Sequence, residues 1–131
     1  MKLPRQWLVR LSPLVEAARG EPLVEPFVET AEEPGHRFVL NTSYGRFVFD
    51  RTRRRVLEGD TELAGFDEVQ SVDIAAFPGG LGERSWSITL YLGLVRRITL
   101  ARTYDDGEAS VLAARLARIL ECKVVALSRR S

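Results

Sequence analysis

Cysteine and histidine are almost missing from this chain. Among 131 residues there is one of each, Cys122 and His36. A single cysteine excludes an internal disulfide framework and a multi-cysteine metal site. A single histidine puts a histidine-rich zinc site out of reach, and no cofactor is expected. Without disulfides, a reducing cytoplasm is the simplest compartment. Long apolar runs are also lacking, and none approaches the ~20 residues that span a bilayer. The opening residues, Met1 to Arg5, have no long apolar core and no cleavage site, so no secretory signal is expected. Charge of one sign is lacking too: 19 basic and 18 acidic residues leave a net charge of +1. Any electrostatic partner must therefore be met by a local patch rather than by the whole molecule. No internal repeat or low-complexity segment is present.

What is there is ordinary for a soluble globular protein, with 45% hydrophobic and 28% charged residues. The length suits one domain with an extension. The most informative stretch runs from Arg84 to Glu121. Trp86, Ile88, Leu90 and Leu92 alternate with Ser85, Ser87, Thr89 and Tyr91, the period of a strand with one buried face. Gly93 opens a short connection, and Val95 to Ala101 resumes the alternation through Ile98 and Leu100. Together they predict an antiparallel hairpin. Asp105 then supplies an N-cap with Glu108 three residues on, the spacing of a capping box. Ala109, Leu112, Ala113, Leu116, Ile119 and Leu120 recur at helical spacing, so a helix with one apolar stripe is expected, docked on a sheet.

Upstream, residues 5–19 read as an amphipathic helix around Trp7, Leu8, Leu11, Leu14 and Val15, with Pro13 inside it or at its first turn. Such a segment is expected to pack on its own domain, to meet a partner through Trp7, Leu8 and Leu11 or lie on a membrane surface, or to remain disordered. Residues 20–36 are rich in proline and glutamate and read as an extended segment or an edge strand, ending in a turn at Pro34-Gly35. The division is therefore expected at 1–36 for the N-terminal segment and 37–131 for the main domain. Short strands follow at Arg37 to Leu40, Arg46 to Asp50, Arg54 to Glu58 and Val69 to Phe77, with a brief pairing at Glu62 to Ala64. Lys123 to Leu127 reads as an edge strand or a tail laid on the sheet.

Chemistry-bearing patterns are few. Gly79, Gly80 and Gly82 do not make a phosphate loop, because a strand rather than a helix N-terminus follows. Asp105 and Asp106 are explained by helix capping, and Cys122 by packing at a helix end. Trp7 and Trp86 read as packing residues, since the basic and aromatic interleaving of a single-strand binder is missing. The conspicuous feature is basic: Arg51, Arg53, Arg54 and Arg55 at a hairpin tip, with Arg96 and Arg97 in the later hairpin and Arg129 and Arg130 beyond. Converging, these would make an anion site. Dispersed, they are solvated charges that keep sheet edges from pairing, or are neutralised by the acids between Glu58 and Asp73.

The runs FVFDRTRRRV at Phe47 to Val56, then SWSITLYLG, VRRITLARTYDDGEASVLAARLARIL and KVV, resemble in order and pattern the PH-like domains of small bacterial proteins over residues 37–127. The resemblance implies a mostly β, α+β fold: a bent antiparallel sheet or open PH-like barrel of about six to seven strands, closed by a C-terminal α-helix and carrying an N-terminal extension. It also implies ligand binding by loops at the open end or by sheet edges. Such domains are often joined to membrane helices, which this chain does not show. The sequence thus predicts a non-enzymatic binding or scaffolding module for a protein or anionic ligand, possibly self-associating as a homo-oligomer. A nucleic-acid-associated role for the basic hairpin is the less favoured alternative.

Overall fold

The computed structural model describes residues 26–78, 83–93 and 96–127. The expected amphipathic helix with Trp7, Leu8 and Leu11, the glycine-rich loop at 79–82, and Arg129 and Arg130 lie outside them. The described chain is mostly β with one C-terminal helix, and its strands form two sheets that do not close into a barrel.

The first sheet is a meander of β1 (Val28–Glu33), β2 (Arg37–Thr42), β3 (Gly45–Asp50), β4 (Arg55–Glu58) and β5 (Thr61–Gly65), in that order and all antiparallel. Period two governs it. Phe38 and Leu40 pair with Phe49 and Phe47, and with Val56 they are buried on the inner face. Every residue of β1 pairs with β2 across the Gly35-His36 turn. Both turn residues are left-handed, with φ of 87° and 60°. The division expected at 36/37 therefore falls inside a hairpin. The segment that reads as extended and acidic is an edge strand whose glutamates face water.

The second sheet holds β6 (Ser71–Pro78), β7 (Arg84–Gly93) and β8 (Arg96–Thr103), a second antiparallel meander, plus β9 (Lys123–Leu127). Val72, Ile74, Ile88, Leu90 and Ile98 share its inner face through the pairs Val72–Leu90, Ile74–Ile88 and Leu90–Ile98. Helix α1 (Asp106–Leu120) then crosses over, and β9 pairs parallel to β6. Parallel pairing of this kind requires a crossover connection, which the helix supplies. Nine strands thus replace the six to seven expected. Beyond the count, β1 and β9 are the two strands the sequence left undecided. One is acidic and the other is apolar without alternation, and neither has a fully buried residue to mark an inner face.

Two bulges weld the sheets together. In β8 the register slips between Ile88 and Thr89, leaving Leu100 unpaired; in β5 it slips between Val56 and Leu57, leaving Leu63 unpaired. A bulged residue loses its ladder partners. Each freed carbonyl is taken by a side chain from the opposite sheet. Thr42 Oγ1 of β2 donates to the Leu100 carbonyl, and Arg96 Nη2 of β8 donates to the Leu63 carbonyl at 2.8 Å.

The helix start is a relayed version of the expected capping box. Asp105 accepts from the Glu108 N–H at 3.1 Å. The Glu108 carboxylate accepts instead from the Thr103 hydroxyl at 2.7 Å, and that hydroxyl oxygen accepts the Asp105 N–H at 3.1 Å. Ala109, Leu112, Ala113, Leu116, Ala117 and Leu120 are buried and join both sheets in one core. Burying each leucine is worth roughly 1.5–3 kcal/mol. Glu121 closes the helix in the left-handed region, and the Cys122 N–H donates to the Ala117 carbonyl.

Candidate functional site: a charged concavity on the first sheet

The outer face of the first sheet carries a charged concavity. By register, Arg37, Val39 and Asn41 of β2 lie beside Asp50, Val48 and Arg46 of β3, and then beside Arg55 and Leu57 of β4 and Glu62 of β5. Val39 and Val48 are buried on this side as well, flanked by long arginine side chains whose methylene stems can cover apolar surface. A concavity of about 320 Å3 opens here, with Val48 and Leu57 as its apolar lining. Four arginines (37, 46, 53 and 55) and four carboxylates (Glu33, Asp50, Asp60 and Glu62) line the rest.

Most of that charge is internally met. Arg46 pairs with Glu33 at 3.0 Å, Arg55 with Glu62 at 3.2 Å, and Arg37 lies 3.7 Å from Asp50. Asp50 is only 4% exposed and has a structural task. Its Oδ1 accepts the Thr52 and Arg53 N–H groups at 3.1 and 3.0 Å, shaping the turn into β4. Arg53 and Asp60, also in the lining, form no ion pair among the described residues.

The six arginines singled out by the sequence do not converge. Arg51 clasps Glu32 of β1 through both terminal nitrogens, at 3.0 and 3.3 Å, and Arg115 of α1 reaches the same carboxylate at 3.4 Å. The Arg51 hydrogen bond is the main reason the Glu32 carboxyl is held below its ordinary value of 4.5. Arg54, left-handed at φ 57°, pairs with Asp67 at 2.9 Å and Glu121 at 3.5 Å and lies over the Phe66 ring. Its pKa is raised, first by the Asp67 hydrogen bond. Only Arg53 and Arg55 line the concavity. Arg96 is spent on the Leu63 carbonyl. Arg97 stacks on Tyr91, 5.4 Å from the ring centroid, on the outer face of the second sheet.

That second face has its own open hollow of about 390 Å3, lined by Tyr44, Phe77, Pro78, Ser85, Ser87, Thr99 and Arg102. Toward the other end of β6, Ser71 donates to the buried Asp73 at 2.6 Å. Burial, then the Asp73 charge, pushes the Cys122 thiol above its ordinary 9.0. Such a thiol is a poor nucleophile at neutral pH. Among the described residues no group of three or more His, Cys, Asp and Glu side chains could hold a metal ion. No helix among them is long and apolar enough to cross a membrane.

Sequence reasoning missed Arg37, Arg46, Val48, Leu57 and Asp60 as site residues. The signal was the period-two placement of Arg37 with Val39, Arg46 with Val48, and Arg55 with Leu57 on a single face. No protein-family model, curated protein or solved structure matches the chain.

Proposed function

We propose that the chain is a PH-like, non-enzymatic binding module whose ligand is a protein, held on the outer face of the first sheet. The seven consecutive strands β2 to β8 followed by α1 fit the order that the PH-like resemblance implies, with β1 and β9 added at sheet edges. The observation that carries the choice of ligand is the charge balance of the concavity. Four arginines and four carboxylates surround an apolar lining. A phosphate or nucleic-acid site concentrates unpaired cations, whereas a protein surface offers apolar area and charges of both signs. Arg53 and Asp60 are the rim charges that such a partner meets.

The test uses three anionic probes (inositol phosphates, vesicles containing anionic lipid, and an oligonucleotide) and a photo-crosslinking residue placed at Asp60. At physiological salt, weak anion binding is expected together with a discrete protein adduct in cells, lost when Arg53→Glu is added. Tight binding to any of the anions that falls steeply with salt and disappears in Arg53→Glu would overturn the reading in favour of an anionic or nucleic-acid ligand.

A further inference from the structure

The two sheets have four edge strands, β1, β5, β8 and β9, and three of them are guarded. An exposed edge is a template for another strand unless charge, a bulge or a covering group blunts it. β1 carries Glu29, Glu32 and Glu33. β5 is bulged at Leu63, whose carbonyl Arg96 occupies. β8 is bulged at Leu100, whose carbonyl Thr42 occupies, and it lies against β1 and β2.

β9 has none of these devices. Its register with β6 is unbroken from Lys123 to Leu127. Its sole charge is Lys123, at one end, and its other residues are Val124, Val125, Ala126 and Leu127. Two of the four exposed large hydrophobic side chains lie in this five-residue strand, Val124 at 41% and Leu127 at 38%. Its second edge is unpaired by any described strand.

We propose that β9 docks against β9 of a second copy of this chain, antiparallel across a twofold axis at Val125, so that the two four-stranded sheets become one. The strand is self-complementary in that register. Val125 faces its own mate, Val124 faces Ala126 of the second copy, and Lys123 faces Leu127, so no like charges oppose. The same operation on β1, with the axis at Ala31, sets Glu29 opposite Glu33 twice over, and like charges directly opposed across strands are destabilising. An isologous contact of this kind closes at two copies. The surface is separate from the charged concavity, so either can fail without the other.

Val124 and Ala126 are both exposed, so charge can be placed there without breaking the core. Light scattering and sedimentation of the full chain across a concentration series should show a monomer–dimer equilibrium. V124K/A126K puts like charges opposite each other at two symmetric places and should raise the dimer dissociation constant by about tenfold or more. V124K/A126E makes the same facing positions opposite in charge and should restore dimerisation. A wild-type chain that stays monomeric throughout, a dimer indifferent to V124K/A126K, or equal loss in both variants would overturn the proposal. Should the substituted chains unfold, hydrogen exchange of the wild type decides. Protection at residues 123–127 that rises with protein concentration supports the docking, and protection independent of concentration overturns it.

Discussion

The Thr42 hydroxyl donates to the backbone carbonyl of Leu100, a residue 58 positions away in the other sheet, and the bond is buried. The carbonyl is available only because Leu100 is the unpaired residue of a bulge. The same hydroxyl oxygen accepts the Tyr44 N–H at 3.0 Å. One side chain therefore satisfies an orphaned acceptor and shapes the β2–β3 turn. Thr42→Val should cost about 1–3 kcal/mol, the penalty for leaving a buried polar group unmet, whereas Thr42→Ser should lose much less. Urea unfolding of the two variants checks this. Equal stabilities would mean that the shape of the side chain, and not its hydroxyl, holds the sheets.

Leu116 is fully buried on α1 and belongs to the shared core. Leu116→Ala should cost about 2–5 kcal/mol through lost burial and a residual cavity. Arg118→Ala, on the solvent side of the same helix, should cost far less. If both variants unfold at the same denaturant concentration, the helix is not docked as described.

Gly59 sits in the β4–β5 turn at φ 59°, and a Cβ there would meet nothing within 4 Å. Its requirement is conformational, not spatial. Gly59→Ala should lose about 1 kcal/mol, and Gly59→Asn less, because asparagine tolerates the left-handed region better than alanine. Thermal melts of the pair separate backbone strain from crowding, since the larger side chain should be the milder change.

Glu32 gathers Arg51 and Arg115 on a solvent-exposed surface. Its carboxyl is held below 4.5, chiefly by the Arg51 hydrogen bond. A depressed carboxylate stabilises the fold at neutral pH and loses that contribution as pH falls through its lowered value. Glu32→Gln should therefore melt slightly below wild type at pH 7. The gap should close at acid pH and also in high salt, which screens exposed pairs. A gap that persists in both conditions would assign the effect to packing.

The Cys122 thiol is pushed above 9.0 by burial first and then by Asp73. At pH 8, alkylation of the folded chain should run several-fold slower than that of the urea-unfolded chain, because only the thiolate reacts. A raised thiol pKa favours the folded state below the ordinary value and withdraws that support as pH rises through the folded one. Stability should accordingly decline in alkali, and the decline should be smaller in Cys122→Ser. Equal alkylation rates for folded and unfolded chains would place the thiol in open solvent.

Much of the fold was legible because its signals are local. The alternation from Trp86 to Leu92 marks β7, and the stripe from Ala109 to Leu120 marks α1 with its Asp105 cap. Phe47 and Phe49 mark the inner face of β3. What escaped was set by partners distant in the chain. Glu108 looks like half of a capping box, but Thr103 takes its carboxylate. The arginines from Arg51 to Arg55 look like one basic site, yet their acids come from β1, β5, the turn after β5 and the end of α1. Nothing near them in sequence announces Glu32 or Glu121. The concavity was hidden for the opposite reason. Its residues are close in space only after four hairpins have folded, and no strand contributes more than three of them.

The crossover that brings β9 beside β6 also orders the assembly of the molecule in time. Among the described strands every other pairing joins neighbours in the chain, so both meanders close through short loops at small entropic cost. β6 must wait for β7, β8 and the whole of α1 before its second neighbour arrives. On the ribosome, where segments emerge in sequence, the five-stranded meander can form while the second sheet still lacks its last strand. β6 then spends synthesis with an open flank, and anything that binds extended chains has its best access to the molecule before β9 is laid down.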